Sequence, residues 1–141
     1  MVIRVIGEAL MKRAANNVCE LQSNLAFETD TIRVTALKGL PSDGASIPKF
    51  FWEKLSCPTV GGYVRCTVIH DALYMTKALP RIEADKLMLQ MMEFNGVSYF
   101  KRHAMYYLVR AAGAGPWNRR TDAEALENMK YIKIERLGAE A

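Results

Sequence analysis

The feature that most constrains this chain is a change of hydrophobic period near residue 45. Before it, in "LAFETDTIRVTAL", Leu25 and Phe27 and then Ile32 and Val34 alternate with other residues, with Thr29-Asp30 placed near a turn. That period-two pattern predicts a hairpin with one buried face. "VIRVI" at the start carries the same β-branched signal, whereas "GEALMKRAANNVCEL" fits helix or strand equally well. From residue 61 onward apolar positions recur at helical spacing, which predicts helices at about 62–78, 81–95, 98–112 and 122–136. Pro80 opens the second, Asn95-Gly96 closes it, and "GAGP" at 113–116 ends the third. Thr121 and Glu124 have capping-box spacing for the last. Between the two regimes, "KGLPSDGASIPKFFWEKL" gathers turn formers ahead of a short helix, with Ser46 placed as cap and Pro48 in the first turn.

The expected fold class is therefore α+β: a small N-terminal antiparallel β-sheet or hairpin followed by a layer of three to four antiparallel helices. Residues 1–141 read as one domain, with a β-rich part at 1–45 that includes the DGAS loop and a helical core at 46–116. A peripheral C-terminal helix follows at 117–141. Its stripe of Ala125, Leu126, Met129 and Ile132 is expected to lie at the periphery or to dock on another subunit, making a homo-oligomer.

Composition removes several classes. No apolar run approaches the roughly 18 residues that a membrane helix needs. "MVIRVIGEALMKR" lacks a long apolar stretch, so secretion by a signal peptide is not expected. Cys19, Cys57 and Cys66 are odd in number and lack C-x-x-C spacing, which favours reduced thiols over a disulfide framework or zinc knuckle. The net charge of +4 is spread out, with small clusters at Lys101-Arg102 and Arg119-Arg120, so nucleic acid is not the expected partner.

Against this ordinary background "VIHDALY" stands out, because His70 and Asp71 interrupt a run that a core helix would bury. In the next helix Glu83, Lys86, Gln90 and Glu93 form a polar stripe. Asp85 falls off it, on the row Ile82–Asp85–Leu89–Met92 that should face the core. A short connection at 79–80 makes the two helices antiparallel neighbours. His70 and Asp85 can then meet across them, with Tyr74 one turn from His70 on the same face. A carboxylate bonded to one imidazole nitrogen fixes the tautomer and supports the cation formed when the other nitrogen takes a proton, so His70 becomes a candidate general base. Asp71, rotated by about 100°, is a candidate ligand for a hard cation. The plainer reading of each residue stays open beside this one. Asp85 can pair with Arg81 one turn earlier, and His70 can bond a backbone carbonyl. Tyr74, Tyr106 and Tyr107 can be core aromatics, while Asp43 and Ser46 can be turn and cap residues or line a site facing His70.

Two resemblances attach to these residues. H-D-x-x-Y followed by A-D on a second helix resembles the core of phospholipase A2 enzymes, above all the compact viral and bacterial forms. That resemblance implies His70 as base, Asp85 as its partner, Tyr74 as the hydroxyl beside the pair, and Asp71 as a ligand of Ca2+. More of the chain resembles a family of phage and prophage proteins, domain of unknown function 1353. The segments concerned are "DGASIP" with Phe50, Phe51 and Trp52, then "HDALY", R-x-E-A-D, "NGV" and "MYYLVRAAGAGPW". It implies a phage-encoded protein found in the host cytoplasm or the virion. Three function classes follow. The first is a small hydrolase using His70 and Asp85, with Tyr74, on an ester or membrane phospholipid during infection or lysis, its site lined by Asp43, Ser46, Arg81 and Tyr106. The second is a non-catalytic virion, tail or assembly component that binds phage structural proteins. The third is an inhibitor or adaptor of a host protein.

Overall fold

The hairpin is where the alternation places it. In the computed structural model, which describes residues 2–7, 11–13, 19–42 and 62–137, β4 (Leu25–Thr29) pairs antiparallel with β5 (Ile32–Ala36). Leu25, Phe27, Ile32 and Val34 are all buried. The turn is tied by Thr29, whose hydroxyl accepts from the backbone N–H groups of Thr31 and Ile32 at 3.2 and 3.1 Å. Strand β1 (Val2–Ile6) adds to the free edge of β4. The segment that fitted helix or strand contributes β2 (Met11–Arg13) and β3 (Cys19–Leu21). These form a second antiparallel sheet, in the order β2-β3-β6, with β6 at Pro41–Ser42.

Helices α1 (Gly62–Thr76), α2 (Arg81–Phe94) and α3 (Tyr99–Ala112) match the expected spans closely. α1 is the centre of the molecule: every residue from Cys66 to Thr76 is buried, on all sides of the helix. A helix with no solvent face has lost the usual amphipathic pattern because it is covered all round, here by β4, β5, α2 and α5 among others. Its fully buried Ile69 and Leu73 join Phe27, Met88 and Met92 in one core, where truncating Leu73 to alanine would cost about 2–5 kcal/mol. On α2 the buried face runs through Ala84, Asp85, Met88, Met91 and Met92. Asp85 and Met92 are therefore inside as expected, but Ile82 is exposed and Leu89 half-buried. The core face is turned slightly from the predicted row.

"GAGP" ends the third helix as expected, with Gly113 capping α3, and a short α4 (Ala114–Arg119) follows at once. Two expectations are corrected. The C-terminal helix stops early, because α5 covers only Asp122–Asn128, held by the expected Thr121/Glu124 capping box. A 3-10 turn at Met129–Tyr131 then leads into β7 (Ile132–Arg136), which pairs with β5 and completes a four-stranded sheet, β1-β4-β5-β7. Residues 117–141 are thus not a peripheral helix. Ile132 and Ala125 are buried in the chain's own fold, and Leu126 and Met129 face solvent. Ile132 and Ile134 belong to a period-two row, and the pull of an open sheet edge overrides the helical reading. Finally, Cys19 is disulfide-bonded rather than reduced. Cys66 is a buried thiol outside any disulfide, pushed up to about 12 chiefly by burial, which disfavours the thiolate.

Candidate functional site

Asp85 is the hub of a cluster that ties three helices together. Its Oδ1 lies 2.6 Å from Nε2 of His70 and accepts a bond of 2.7 Å from the Tyr74 hydroxyl, both from α1. Its Oδ2 accepts from Nη1 of Arg110, on α3, at 2.7 Å. Arg81, one turn earlier on α2, stands 3.6 Å from the same oxygen. The hydrogen bond expected between His70 and Asp85 is therefore present, and so is the salt bridge that competed with it as an explanation. The side chains of His70 and Asp85 are 0% exposed. An unpaired carboxylate there would be very costly, whereas this one is fully engaged.

The protonation states follow from the partners. Burial opposes ionisation of Asp85, but bonds from His70, Tyr74 and Arg110 outweigh it and hold the carboxyl below its ordinary value. An ionised carboxylate only accepts, so Nε2 of His70 carries the hydrogen and Nδ1 is the nitrogen turned away from Asp85. Burial pushes the Tyr74 hydroxyl well above its ordinary value, and the adjacent Asp85 adds to this against the opposing bond from Arg81. Tyr74 therefore stays a donor.

Around these contacts the packing is tight. The rings of His70 and Tyr74 lie 4.3 Å apart, and Tyr74 meets the edge of Trp117 from α4 at 5.0 Å. Arg81 braces the far side, donating to the carbonyls of Val109 and Arg110 at 3.5 and 3.3 Å. Gly113 is required for this arrangement, since a Cβ there would come within 2.6 Å of the Tyr74 oxygen and 2.5 Å of the Val109 carbonyl.

Of the residues singled out in the sequence, His70, Tyr74, Asp85 and Arg81 come together. Asp71 is buried on α1. Asp43 and Ser46, together with the DGAS loop, lie outside the described residues. Tyr106 is half-buried, and its ring packs against Tyr107 at 5.4 Å, with no hydrogen bond to the cluster among the described contacts. Arg110, Gly113 and Trp117 were missed as site residues, although all three fall in the "MYYLVRAAGAGPW" segment. A groove of about 260 Å³ lies elsewhere, between the β4–β5 turn and α2, and none of the cluster lines it. The described residues thus give no cleft at His70. They contain no group of three or more His, Cys, Asp or Glu side chains able to hold a metal.

Fold and site together define an α+β protein built round a buried carboxylate–imidazole–phenol centre that two arginines flank. The profile of the family described as "Protein of unknown function (DUF1353)" matches residues 19–109, and the chain belongs to that family. The uncharacterized protein y4jT of Sinorhizobium fredii (strain NBRC 101917 / NGR234) is 34% identical over 95 residues, which are 67% of this chain and 28% of that protein. The chain thus corresponds to little more than a quarter of that relative. No solved structure matches. Among the described residues no helix is long and apolar enough to cross a membrane.

Proposed function

We propose that the protein is a small hydrolase in which His70 is the general base and Asp85 orients it. The observation that carries this reading is that Nε2 of His70 lies 2.6 Å from an Asp85 carboxylate that Tyr74 and Arg110 also hold, which fixes the orientation of the imidazole. In the step proposed, Nδ1 of His70 takes a proton from water as the water oxygen attacks an ester carbonyl carbon. Asp85 supports the imidazolium through Nε2–H, and the imidazolium then returns the proton to the departing alkoxide oxygen. Tyr74, donating to the same Oδ1, holds the carboxylate in place. The substrate class is a carboxylic ester, with a phospholipid as the form the H-D-x-x-Y pattern favours. Calcium bound through Asp71 belongs to the same proposal, with no step routed through the ion. The resemblance to phage and prophage proteins supports action in the virion or the host cell as part of the same reading.

Hydrolysis of a water-soluble nitrophenyl ester and of phosphatidylglycerol vesicles, each with calcium or with chelator, tests the reading. His70→Gln should keep the cooperative unfolding of the parent and lose turnover at least a hundredfold. Equal activity in parent and variant, or none in the parent on any ester, would discard the hydrolase. The second reading is a non-catalytic virion or assembly component in which the cluster fixes helix register. Complete burial of His70 favours it, and it predicts that His70→Gln costs stability alone.

A further inference from the structure

The outer face of α3 carries a row of exposed apolar side chains. Phe100, Ala104, Tyr107, Leu108 and Ala111 recur at helical spacing and all point to solvent, Phe100 at 85% exposure and Tyr107 at 65%. The inner face of the same helix is held in the core by Met105 and Val109, so this outward row is not left over from a helix that failed to pack. Phe94 and Tyr99 extend the exposed apolar surface round the α2–α3 corner. Monomeric proteins rarely leave such a contiguous patch uncovered without a use for it.

The charge along α3 and α4 is basic: from Phe94 to Thr121 the sequence contains no aspartate or glutamate, while Lys101, Arg102, Arg110, Arg119 and Arg120 all fall within it. Arg110 is taken up by Asp85 and Arg102 stands 3.5 Å from Glu93 at the end of α2, whereas Lys101 is exposed beside Phe100. Arg102 lies over the Tyr99 ring at 5.3 Å, and Tyr99 stacks on His103 at 4.0 Å, so the aromatic surface is held in place rather than loosely draped. Exposed aromatic side chains beside cations, with a single ion-paired glutamate at the edge, match the boundary of an anionic bilayer, where rings sit at headgroup depth and basic side chains meet lipid phosphates.

We infer that the α3 face docks the protein on an anionic lipid surface. The contact is peripheral: Phe100, Tyr107 and Leu108 enter the headgroup boundary and Lys101 supplies the attraction. This deepens the lipid-ester reading but stands on separate residues, so the two can fail separately. Co-sedimentation of the intact chain with vesicles of phosphatidylcholine alone, and of phosphatidylcholine carrying a quarter phosphatidylglycerol, tests it. Binding should be confined to the anionic vesicles. It should fall roughly tenfold in the Phe100→Ser/Tyr107→Ser variant and several-fold for Lys101→Glu or in high salt. His70→Gln should bind like the parent, and the Phe100→Ser/Tyr107→Ser variant should keep turnover on the soluble ester. Failure to bind anionic vesicles overturns the inference. So does binding untouched by both sets of substitutions, and so does a face that instead pairs copies of the chain in light scattering or holds a single-stranded oligonucleotide in preference to vesicles.

Discussion

Two carboxylates in this protein are each held between two arginines, and the comparison shows what is unusual about one of them. On the four-stranded sheet, Arg4, Glu28, Arg33 and Glu135 stand opposite one another across β1, β4, β5 and β7. Glu28 is paired with both Arg4 and Arg33, and Arg33 with Glu135 at 3.2 Å. The bonds from Arg4, with those from Arg33, hold the Glu28 carboxyl below its ordinary value despite burial. Between the helices, Asp85 has the same pair of cations in Arg81 and Arg110, and then adds His70 and Tyr74. At Glu28 the arginines alone hold the carboxyl low, whereas at Asp85 the bonds from His70 and Tyr74 act beside Arg110. Added polar groups in a dry core either specify register or do chemistry. Arg4 is 58% exposed at its side chain, and both partners of the ladder's outer pair reach water, whereas Asp85 does not.

The largest effect should come from removing the buried hub. Asp85→Ala leaves Arg110, His70 and Tyr74 without their acceptor and should cost about 3–5 kcal/mol in urea unfolding. A loss below about 1 kcal/mol would mean that the cluster does not hold α1, α2 and α3 together. Next is Gly113→Ala, which drives a methyl towards the Tyr74 oxygen and should cost about 1–3 kcal/mol. The same change in a Tyr74→Phe background should cost less, because the hydroxyl it meets is gone. Equal costs in the two backgrounds would place the strain wholly on the Val109 carbonyl.

A smaller effect concerns acid. With its folded value depressed, Asp85 contributes stability that is fully present above the ordinary carboxylate range. The contribution is lost as pH falls below about 4 and through the depressed folded value, since the unfolded chain takes the proton first. Unfolding followed between neutral pH and strong acid should therefore show a steeper acid loss in the parent than in Asp85→Asn. Parallel curves would contradict the assignment. The smallest effect is expected at Glu28→Gln, where water reaches the surrounding arginines and screening weakens the pairs. If Glu28→Gln proved as damaging as Asp85→Ala, the contrast between wet and dry carboxylates would collapse.

Much of this was legible in the sequence, for local reasons. The β4–β5 hairpin follows from alternation within a dozen residues, and α1 to α3 from helical spacing with recognisable stops. The meeting of His70 and Asp85 could be read because Asp85 falls off its own helix's polar stripe and a short turn fixes the neighbour. What was not legible depends on distant partners. Arg110 looks like any basic residue on a surface helix, and nothing in its neighbourhood says that it reaches a carboxylate 25 residues back. Gly113 and Trp117 read as parts of a turn, and only the place of Tyr74 reveals their use. β7 was taken for helix because "YIKIER" continues the spacing begun at Ala125. The β-branched Ile132 and Ile134 were the available signal, but the edge of β5 that selects the strand is a hundred residues away.

That same strand governs the order in which the molecule can assemble. The hairpin and the first helices need only nearby residues, and a nascent chain can form them as soon as they clear the ribosome. The bond between Arg33 and Glu135 spans 102 residues, so the far edge of the principal sheet stays open until nearly the whole described chain has been made. During that interval β5 presents unpaired backbone groups to whatever else is nearby. Closure of a loop this long slows the final step, and crowded synthesis of the protein carries a correspondingly higher chance of strand exchange between neighbouring copies.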